Sequence, residues 1–327
     1  MKAKNCLIFG GTGQIGTNLI RKLAKDNYKI TLVTRNKHQK GNFIKTQANA
    51  GYIDIIETNP FLEDTISPLF EKADICINLV GILYEDGKNS FQNIHVNFPV
   101  LLSNLSKKFN LNQFIHLSAL GLENAKDSNY AKSKLLGEQK IKEIYSNCTI
   151  LKPSVVYSVD DNFTTTFMTL LSRLPIFPLY YNGDTKFMPI HCSDLTDVIV
   201  KVIKDEIRSE IIECGGPSIL SFKEIINSLM NLIEKKRLLI PIPLIGGKVL
   251  AKLLELAPKP LLTSDQLRLL KYDNIYSNKF KTNASIGIPS KKNFHEEVKK
   301  YCFMWKEGGQ FSTERYANFK NLENKDN

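Results

Sequence analysis

The first 155 residues alternate short apolar runs with longer segments of helical periodicity, and this alternation restricts the possible folds more than any other feature. The apolar runs are continuous, which is typical of strands covered on both faces of a parallel sheet. Strands joined by helices through short connections form right-handed β-α-β units, so we predict an α/β fold with a doubly wound parallel sheet. The predicted strands are residues 5–9, 29–33, 52–57, 75–80, 113–118 and 148–152, and the predicted helices are residues 15–25, 62–70, 95–109 and 128–145.

A glycine-rich turn joins the first predicted strand to the first predicted helix. Gly10, Gly13 and Gly16 give the spacing G-x-x-G-x-x-G. In a β-α-β unit, the first glycine permits a tight turn, the second lets the backbone approach a diphosphate, and the third lets the helix pack on the strand. The N–H groups at the start of the helix then face the phosphates. The turn therefore predicts a dinucleotide site of the Rossmann type.

The end of the second predicted strand distinguishes between the two nicotinamide dinucleotides. A site for NAD usually carries Asp or Glu about 20 residues past the glycine turn, where the carboxylate binds the ribose 2′-hydroxyl. This chain has Arg35 at that distance from Gly16. A guanidinium can bind a 2′-phosphate through two hydrogen bonds. We predict NADP(H) as the preferred cofactor and NAD(H) as the alternative, while a solvated surface role for Arg35 also stays open.

Three polar residues follow the fifth predicted strand. Ser118 ends that strand, where open α/β sheets bind ligands, so its hydroxyl is a candidate to hold a substrate carbonyl. Tyr130 and Lys134 lie at positions i and i+4 of the next helix, on one face. The ammonium group is expected to lower the pKa of the phenol and so make Tyr130 a general acid or base. We predict Ser118, Tyr130 and Lys134 as the catalytic residues of any reaction in this cleft.

The second half of the chain has a looser pattern, with short strand-like pieces and corners that contain proline. We predict an NAD(P)-binding Rossmann domain at residues 1–157, a smaller and mostly helical part at 158–310 that is interleaved with the core, and a polar tail at 311–327. The apolar segment 238–256 either packs on the core or forms a docking face for a membrane or a partner. The predicted helices of this part are residues 165–174, 193–205, 222–235, 247–256 and 263–270.

Charge and composition exclude several classes of function. The formal net charge of +11 is spread over both halves of the chain, whereas nucleic-acid-binding proteins usually concentrate basic residues on one face. The five histidines show no metal-ligand spacing, and the six cysteines form no C-x-x-C pair. We therefore expect no nucleic acid, no metal and a reducing compartment. Because the sequence shows neither a bilayer span nor a signal peptide, we expect a cytoplasmic protein.

Together these motifs resemble the short-chain dehydrogenase/reductase superfamily, in its extended or atypical branch that is similar to NAD-dependent epimerases and dehydratases. The resemblance runs from residue 2 to about residue 300 and includes Asn-Leu-Val-Gly at 78–81 and Lys-Pro-Ser-Val-Val-Tyr at 152–157. Residues 117–121, Ser-Lys at 133–134 with Gly-Glu at 137–138, and residues 263–270 are similar to the family of the nucleotide-binding accessory subunit of respiratory complex I and its bacterial relatives. That family also resembles a ubiquinone-biosynthesis factor.

The resemblance implies a set of cofactor contacts and a role. The mitochondrial subunit is understood to hold NADPH without turning it over. Asn59 stands where many relatives have Asp beside the adenine, and Asn97 is implied as a fourth polar member of the site. The implied cofactor-binding residues are Gly10, Thr12, Gly13, Gln14, Ile15, Gly16, Arg35, Asn59, Leu79, Val80, Gly81, Asn97, Tyr130, Lys134 and Pro153.

Two functions from different classes remain open at this point. The first is an NADP(H)-binding accessory or assembly factor linked to respiratory complex I (NADH:ubiquinone oxidoreductase) or to ubiquinone metabolism. Its partners would be complex I subunits or the inner face of the respiratory membrane, which is the matrix side in a eukaryote. The second is an active NAD(P)-dependent oxidoreductase or epimerase that uses Tyr130 on a quinone precursor, a nucleotide sugar or another carbonyl compound. The Ser-Tyr-Lys set favours the enzyme, and the finer resemblance favours the accessory role.

Overall fold

The computed structural model describes residues 3–47, 49, 51–87, 89–242, 255, 260 and 262–309. The strands are β1 (Asn5–Phe9), β2 (Lys29–Thr34), β3 (Ile53–Glu57), β4 (Ile75–Asn78), β5 (Gln113–Leu117), β6 (Cys148–Pro153), β7 (Val156–Tyr157), β8 (Ile176–Leu179), β9 (Lys186–Phe187), β10 (Ile190–His191), β11 (Ile211–Cys214), β12 (Leu220–Ser221), β13 (Leu238–Pro241) and β14 (Lys281–Thr282). The helices are α1 (Gln14–Lys25), α2 (Lys37–Lys45), α3 (Glu63–Phe70), α4 (Phe98–Lys108), α5 (Asn129–Ile144), α6 (Thr164–Arg173), α7 (Cys192–Lys204), α8 (Phe222–Leu232), α9 (Ser264–Leu269) and α10 (Phe294–Lys299).

Eight parallel strands form the central sheet, in the order β14-β11-β6-β5-β4-β1-β2-β3. This arrangement confirms the predicted doubly wound parallel sheet. The chain starts at β1 and builds outward first toward β3 and then, from β4, in the opposite direction. The carboxyl ends of β1 and β4 are therefore neighbours at the point where the order reverses, which is where open α/β sheets bind ligands. Two strands from the second half of the chain, β11 and β14, extend the sheet beyond the six predicted strands.

Each face of the sheet has its own apolar core, because the strands are buried on both sides. One core lies against α1 and α7 and includes Leu19 and Ile199. The core on the other face lies against α3, α4 and α5 and includes Phe70 and Phe98. A third cluster, centred on Phe222, joins α6, α8 and α10. The long helix α5, which carries Tyr130 and Lys134, is thus fixed to the sheet along its inner face.

The structure differs from the sequence prediction at several elements. The predicted helix 95–109 starts with a π-helical turn, Gln92–Asn97, and continues as α4. The helix α2 was not predicted, and the predicted helix 247–256 and the polar tail 311–327 lie outside the described residues apart from Glu255. In the part of the chain that is described, no helix combines the length and the apolar character needed to cross a bilayer.

We predict that Gly137→Ala destabilises the fold by about 2 kcal/mol or more, because an added Cβ would lie 1.9 Å from the carbonyl oxygen of His95 in the π-helical turn. Gly41→Ala is the matched control, since that glycine is also helical and a Cβ there would meet side chains alone, the flexible Lys37 at 3.2 Å and Ile55 at an ordinary contact distance of 3.6 Å. The control is expected to be neutral or slightly stabilising. Urea denaturation measures both, and a Gly137→Ala protein as stable as the wild type would contradict the close packing.

Candidate functional site

Backbone packing requires two glycines of the predicted turn. Gly10 has a φ of +79°, and a Cβ there would lie 2.9 Å from the carbonyl carbon of Leu79. A Cβ at Gly16 would lie 2.3 Å from the Cα of Gly11, which is closer than real carbon atoms approach. The turn after β1 therefore packs on the segment after β4, and α1 packs on the turn. These contacts bring the start of α1 to the reversal point of the sheet.

Packing within the protein does not explain the middle glycine, Gly13. The nearest heavy atom to a Cβ at this position is the carbonyl oxygen of Gly10, at 3.4 Å. Gly13 is the N-cap of α1, and in the described chain no side chain caps this helix and its first turn has no acidic residue. The first amide groups of α1 are therefore available to an anion that approaches over Gly13.

The remaining predicted residues of the glycine turn, Gln14, Ile15 and Thr12, lie at the start of α1 or in the turn. The side-chain amide of Gln14 donates to Ser158 Oγ at 2.8 Å, which ties the start of α1 to the segment after β7. Ile15 packs against the core below α1, and Thr12 lies in the turn itself.

Arg35 and Asn59 meet at one cavity beside the carboxyl ends of β2 and β3. Its volume is about 350 Å³, and Arg35, Thr58, Asn59, Phe61 and Asn89 line it. The Arg35 guanidinium is exposed and donates to Asn89 Oδ1 at 2.9 Å. This cavity offers one cation and two amides to a polar ligand. Asn89, which lies in the loop after β4, was not predicted from the sequence.

The segment Leu79, Val80 and Gly81 connects the glycine turn to α5. The Leu79 N–H donates to the Phe9 carbonyl at 2.9 Å, and the Val80 N–H donates to Asn78 Oδ1 at 3.1 Å. A Cβ at Gly81 would lie 3.4 Å from the Lys134 ammonium nitrogen. The predicted residues after β4 therefore lie between the start of α1 and the Lys134 side chain.

Lys134 and Tyr130 project from the first turns of α5. Lys134 is buried, and its ammonium donates to the Leu117 carbonyl at 3.1 Å. Burial lowers the pKa of Lys134 to about 8, although Glu138 acts in the opposite direction. Burial, with a smaller effect of the Glu138 charge, raises the pKa of Tyr130 to about 12. The prediction that the Lys134 ammonium lowers the pKa of Tyr130 is therefore wrong.

His95 is a buried neighbour of Tyr130 that the sequence analysis did not single out. Its Nε2 accepts from the Ile82 N–H at 3.2 Å, so Nδ1 carries the proton and donates to Ser133 Oγ at 2.9 Å. Burial, followed by the Lys134 charge, lowers the pKa of His95 to about 3. The neutral ring stands edge-on to the Tyr130 ring, with 5.3 Å between centroids. His95 thus joins the loop after β4 to α5 beside the phenol.

Asn97, the implied fourth polar member, lies on the outer side of the same π-helical turn. Its side chain is exposed and exchanges hydrogen bonds with Gln92 and Asn93, at 3.0 Å each. His95 takes the inward position because only residues on the inner face of the turn reach α5. We therefore place His95, and not Asn97, in the polar cluster around Tyr130.

The hydroxyl of Ser118 is engaged in a buried ion network rather than directed at Tyr130. Ser118 Oγ donates to the carboxylate of Glu138, and Lys152 Nζ lies 2.8 Å from the other oxygen of that carboxylate. Lys152 also contacts Glu123 at 2.5 Å. The neighbouring Ala119 packs in the same apolar cluster as the Tyr130 ring. The Ser118 hydroxyl is thus bonded to Glu138 in this structure, and its role in holding a substrate carbonyl stays a prediction.

Pro153 and a second cavity complete the surroundings of α5. Pro153 ends β6, and its carbonyl accepts from the Leu120 N–H at 2.9 Å. A cavity of about 540 Å³ opens at the start of α5, where Phe91 and Asn129 form part of its wall. Phe91 also stands edge-on to Tyr130, with 5.9 Å between centroids.

Comparisons with known proteins agree with this architecture. Residues 6–215 match the model of the NAD dependent epimerase/dehydratase family. One solved structure with a similar fold is that of the dTDP-glucose 4,6-dehydratase DesIV from Streptomyces venezuelae with NAD and TYD bound. The TM-score is 0.70 and the sequence identity is 15%. The likeness covers 92% of this chain and 96% of that one, and it shows a shared fold.

Two relatives have the finer resemblance that the sequence motifs suggested. The mitochondrial NADH dehydrogenase [ubiquinone] 1 alpha subcomplex subunit 9 of Arabidopsis thaliana is 24% identical over 283 residues, which cover 83% of this chain and 70% of the relative. The mitochondrial NADH-ubiquinone oxidoreductase 40 kDa subunit of Neurospora crassa is 24% identical over 284 residues, with 86% and 74% covered. Because the family model spans more than half of the sequence, this chain belongs to the NAD dependent epimerase/dehydratase family.

Proposed function

We propose that this chain binds NADP(H) and acts as an accessory or assembly factor of respiratory complex I, with the nucleotide held rather than consumed. One observation carries the proposal: the first amides of α1 and the cavity at Arg35 are open to a ligand, whereas the Ser118 hydroxyl is bonded to Glu138. The names of the two relatives support the link to complex I. The proposed location is the inner face of the respiratory membrane, peripheral to it.

The residues around the reversal point of the sheet fit a dinucleotide. Gly13 leaves space that a Cβ would fill, and the uncapped amides of α1 suit the diphosphate. Arg35 suits the 2′-phosphate and Asn59 the adenine, since both line one cavity. The nicotinamide half would lie along Leu79, Val80, Gly81 and Pro153, with its ribose near Tyr130 and Lys134. When bound, the nicotinamide can supply a hydride.

Two of the groups that would assist hydride transfer, Ser118 and Lys134, have other partners. A carbonyl that accepts a hydride needs donors aimed at its oxygen. Ser118 donates to Glu138, and Lys134 donates to Leu117. A phenol whose pKa is about 12 stays protonated at neutral pH, so Tyr130 is a poor general base for the oxidation of an alcohol. These assignments support a nucleotide that is retained as part of the fold.

An active oxidoreductase or epimerase is the second candidate. It is favoured by the Tyr130 hydroxyl, which makes no hydrogen bond to any residue in the described part of the chain and so is free to meet a substrate. In that case Tyr130 would donate the proton to a quinone precursor, a nucleotide sugar or another carbonyl compound.

The main test is to purify the tagged chain from its native membranes. We expect NADPH and complex I subunits to copurify, because the nucleotide is held tightly and the partner is the respiratory complex. Bound NADPH should stay reduced when ubiquinone-1 or 9,10-phenanthrenequinone is added, as followed by absorbance at the nicotinamide band. Rapid oxidation that is lost in Tyr130→Phe would favour the enzyme. Recovery without complex I subunits would contradict the accessory role.

Ser118→Ala should lower the free energy of unfolding by about 1.5–3 kcal/mol, because the buried Glu138 carboxylate loses a donor. The affinity for NADPH should change less than about twofold, which isothermal titration calorimetry can measure. Ser103→Ala is the matched control, since that buried hydroxyl donates only to the Pro99 carbonyl. A Ser118→Ala protein of normal stability that binds or oxidises NADPH poorly would show that the hydroxyl serves a ligand.

Arg35→Ala should weaken NADPH binding about 10-fold to 100-fold and leave NADH binding almost unchanged, since a charge-assisted bond to phosphate contributes about 1.5–3 kcal/mol. Arg21→Ala is the control, because it removes the same charge from the exposed face of α1, where Arg21 pairs with Gln47. Fluorescence titration of both nucleotides gives the ratio. An equal loss for NADPH and NADH, or no loss for either, would remove the reason for preferring NADP(H).

A further inference from the structure

The N-terminus of α5 is capped by a carboxylate that comes from far along the chain. Asp265 Oδ1 accepts from the Asn129 N–H at 2.8 Å, and Asp265 Oδ2 accepts from the Tyr130 N–H at 2.9 Å. The same oxygen accepts from Ser128 Oγ at 2.7 Å. Ser128 is the buried N-cap of α5, and its hydroxyl also accepts from the Ala131 N–H at 3.2 Å. Asp265 and Ser128 together satisfy the first amides of the helix.

Asp265 adds to the local Ser128 cap a negative charge that the first turn of α5 does not contain. The first turn of α5 contains no acidic residue, and Asp265 lies 135 positions away from Tyr130. The carboxylate is itself held, because its side chain is only 13% exposed and pairs with Arg268 at 3.2 Å. A negative charge at a helix N-terminus is favourable on electrostatic grounds. The carboxylate also fixes the backbone of Tyr130, because it accepts from the N–H of that residue.

The helix that carries Asp265 is fixed on both sides. Thr263 and Gln266 form a capping box at the start of α9, and Leu267 is buried. Leu269 packs in the cluster that also contains the Tyr130 ring. Asp265 therefore belongs to a packed turn that contacts Tyr130 twice, at its backbone N–H through Asp265 and in the apolar cluster around its ring through Leu269.

We propose that Asp265 is a positioning residue, which holds Tyr130 in place for the nicotinamide half of the nucleotide by capping α5. The proposal rests on the proposed binding of NADP(H). Without the carboxylate, the first turn of α5 frays, and a ligand that needs Tyr130 must order this turn again when it binds. The adenosine half lies at Arg35 and Asn59, on the other side of the reversal point, and does not depend on the cap.

The cap lies beside the cavity at the start of α5. Thr263, Asp265 and Arg268 line the 540 Å³ cavity together with Asn129 of α5. The carboxylate that caps α5 therefore lies at the wall of this cavity.

The test compares Asp265→Ala with Asp273→Ala. Asp273 is the matched control, because its carboxylate also accepts a backbone N–H, that of Lys186 at 2.8 Å, but does not touch α5. Asp265→Asn keeps the shape of the side chain with one acceptor oxygen and serves if the alanine variant does not fold. Three quantities are measured on the full chain: hydrogen exchange of the amides at 129–131 without nucleotide, the affinity for NADPH and the affinity for 2′,5′-ADP.

In Asp265→Ala we expect exchange at 129–131 to become about tenfold faster and NADPH binding to weaken about five- to tenfold. Binding of 2′,5′-ADP should stay within about twofold, and Asp273→Ala should resemble the wild type in all three measurements. A general loss of stability would weaken both ligands equally, so an equal loss, or unchanged exchange, overturns the positioning role. If the wild type binds neither ligand, the proposed function is contradicted. The exchange result then tests only whether Asp265 caps α5.

Discussion

The ammonium group of Lys152, in β6, is buried against carboxylates from two other parts of the chain, and the site depends on this arrangement. The side chain is 2% exposed and contacts Glu138 of α5 and Glu123 of the segment after β5. Burial lowers the pKa of Lys152, but Glu138 and Glu123 outweigh this effect and the net shift is upward, so the group stays charged. Removing one partner of such a buried pair typically costs about 3–5 kcal/mol, because it leaves an uncompensated charge. The pair therefore fixes α5 against the sheet.

The same network decides what the polar residues of the cleft can do. Glu138 accepts from the Ser118 hydroxyl, and Ala119 packs in the apolar cluster that contains the Tyr130 ring. His95 is neutral, and both of its ring nitrogens are hydrogen-bonded, so it links the loop after β4 to α5. A cleft of this kind can hold a dinucleotide rigidly while it offers few donors to a second substrate. This combination is what the proposed accessory role requires.

The six strands β1 to β6 could be predicted from the sequence because each is a continuous apolar run between turn residues, and local preference agrees with the fold. The glycine turn could be predicted for a similar reason, since its spacing has a steric cause at Gly10 and Gly16. The roles of Ser118 and His95 could not be predicted in this way. A residue type and its place on a strand or helix do not reveal which buried partner it meets, and Glu138 and Ile82 are those partners.

Other features could not be predicted from the sequence because they depend on contacts between distant parts of the chain. The cap from Asp265 joins positions 135 apart, and no local pattern indicates it. The strands β11 and β14 are four and two residues long, and β11 includes the buried Glu213, which interrupts the apolar pattern. The side chain of Glu213 bonds with Ser277, so tertiary structure satisfies a residue that local preference disfavours in a central strand.

The central claim is that the protein holds a nucleotide at the reversal point of the sheet while Ser118 remains bonded to Glu138. A crystal structure of the complex with NADPH tests it most directly. The account predicts the diphosphate on the first amides of α1, the 2′-phosphate on Arg35, the nicotinamide ribose beside Tyr130, and an unchanged bond from Ser118 to Glu138. A nucleotide bound elsewhere, or a Ser118 hydroxyl turned from Glu138 toward the nicotinamide, would contradict it.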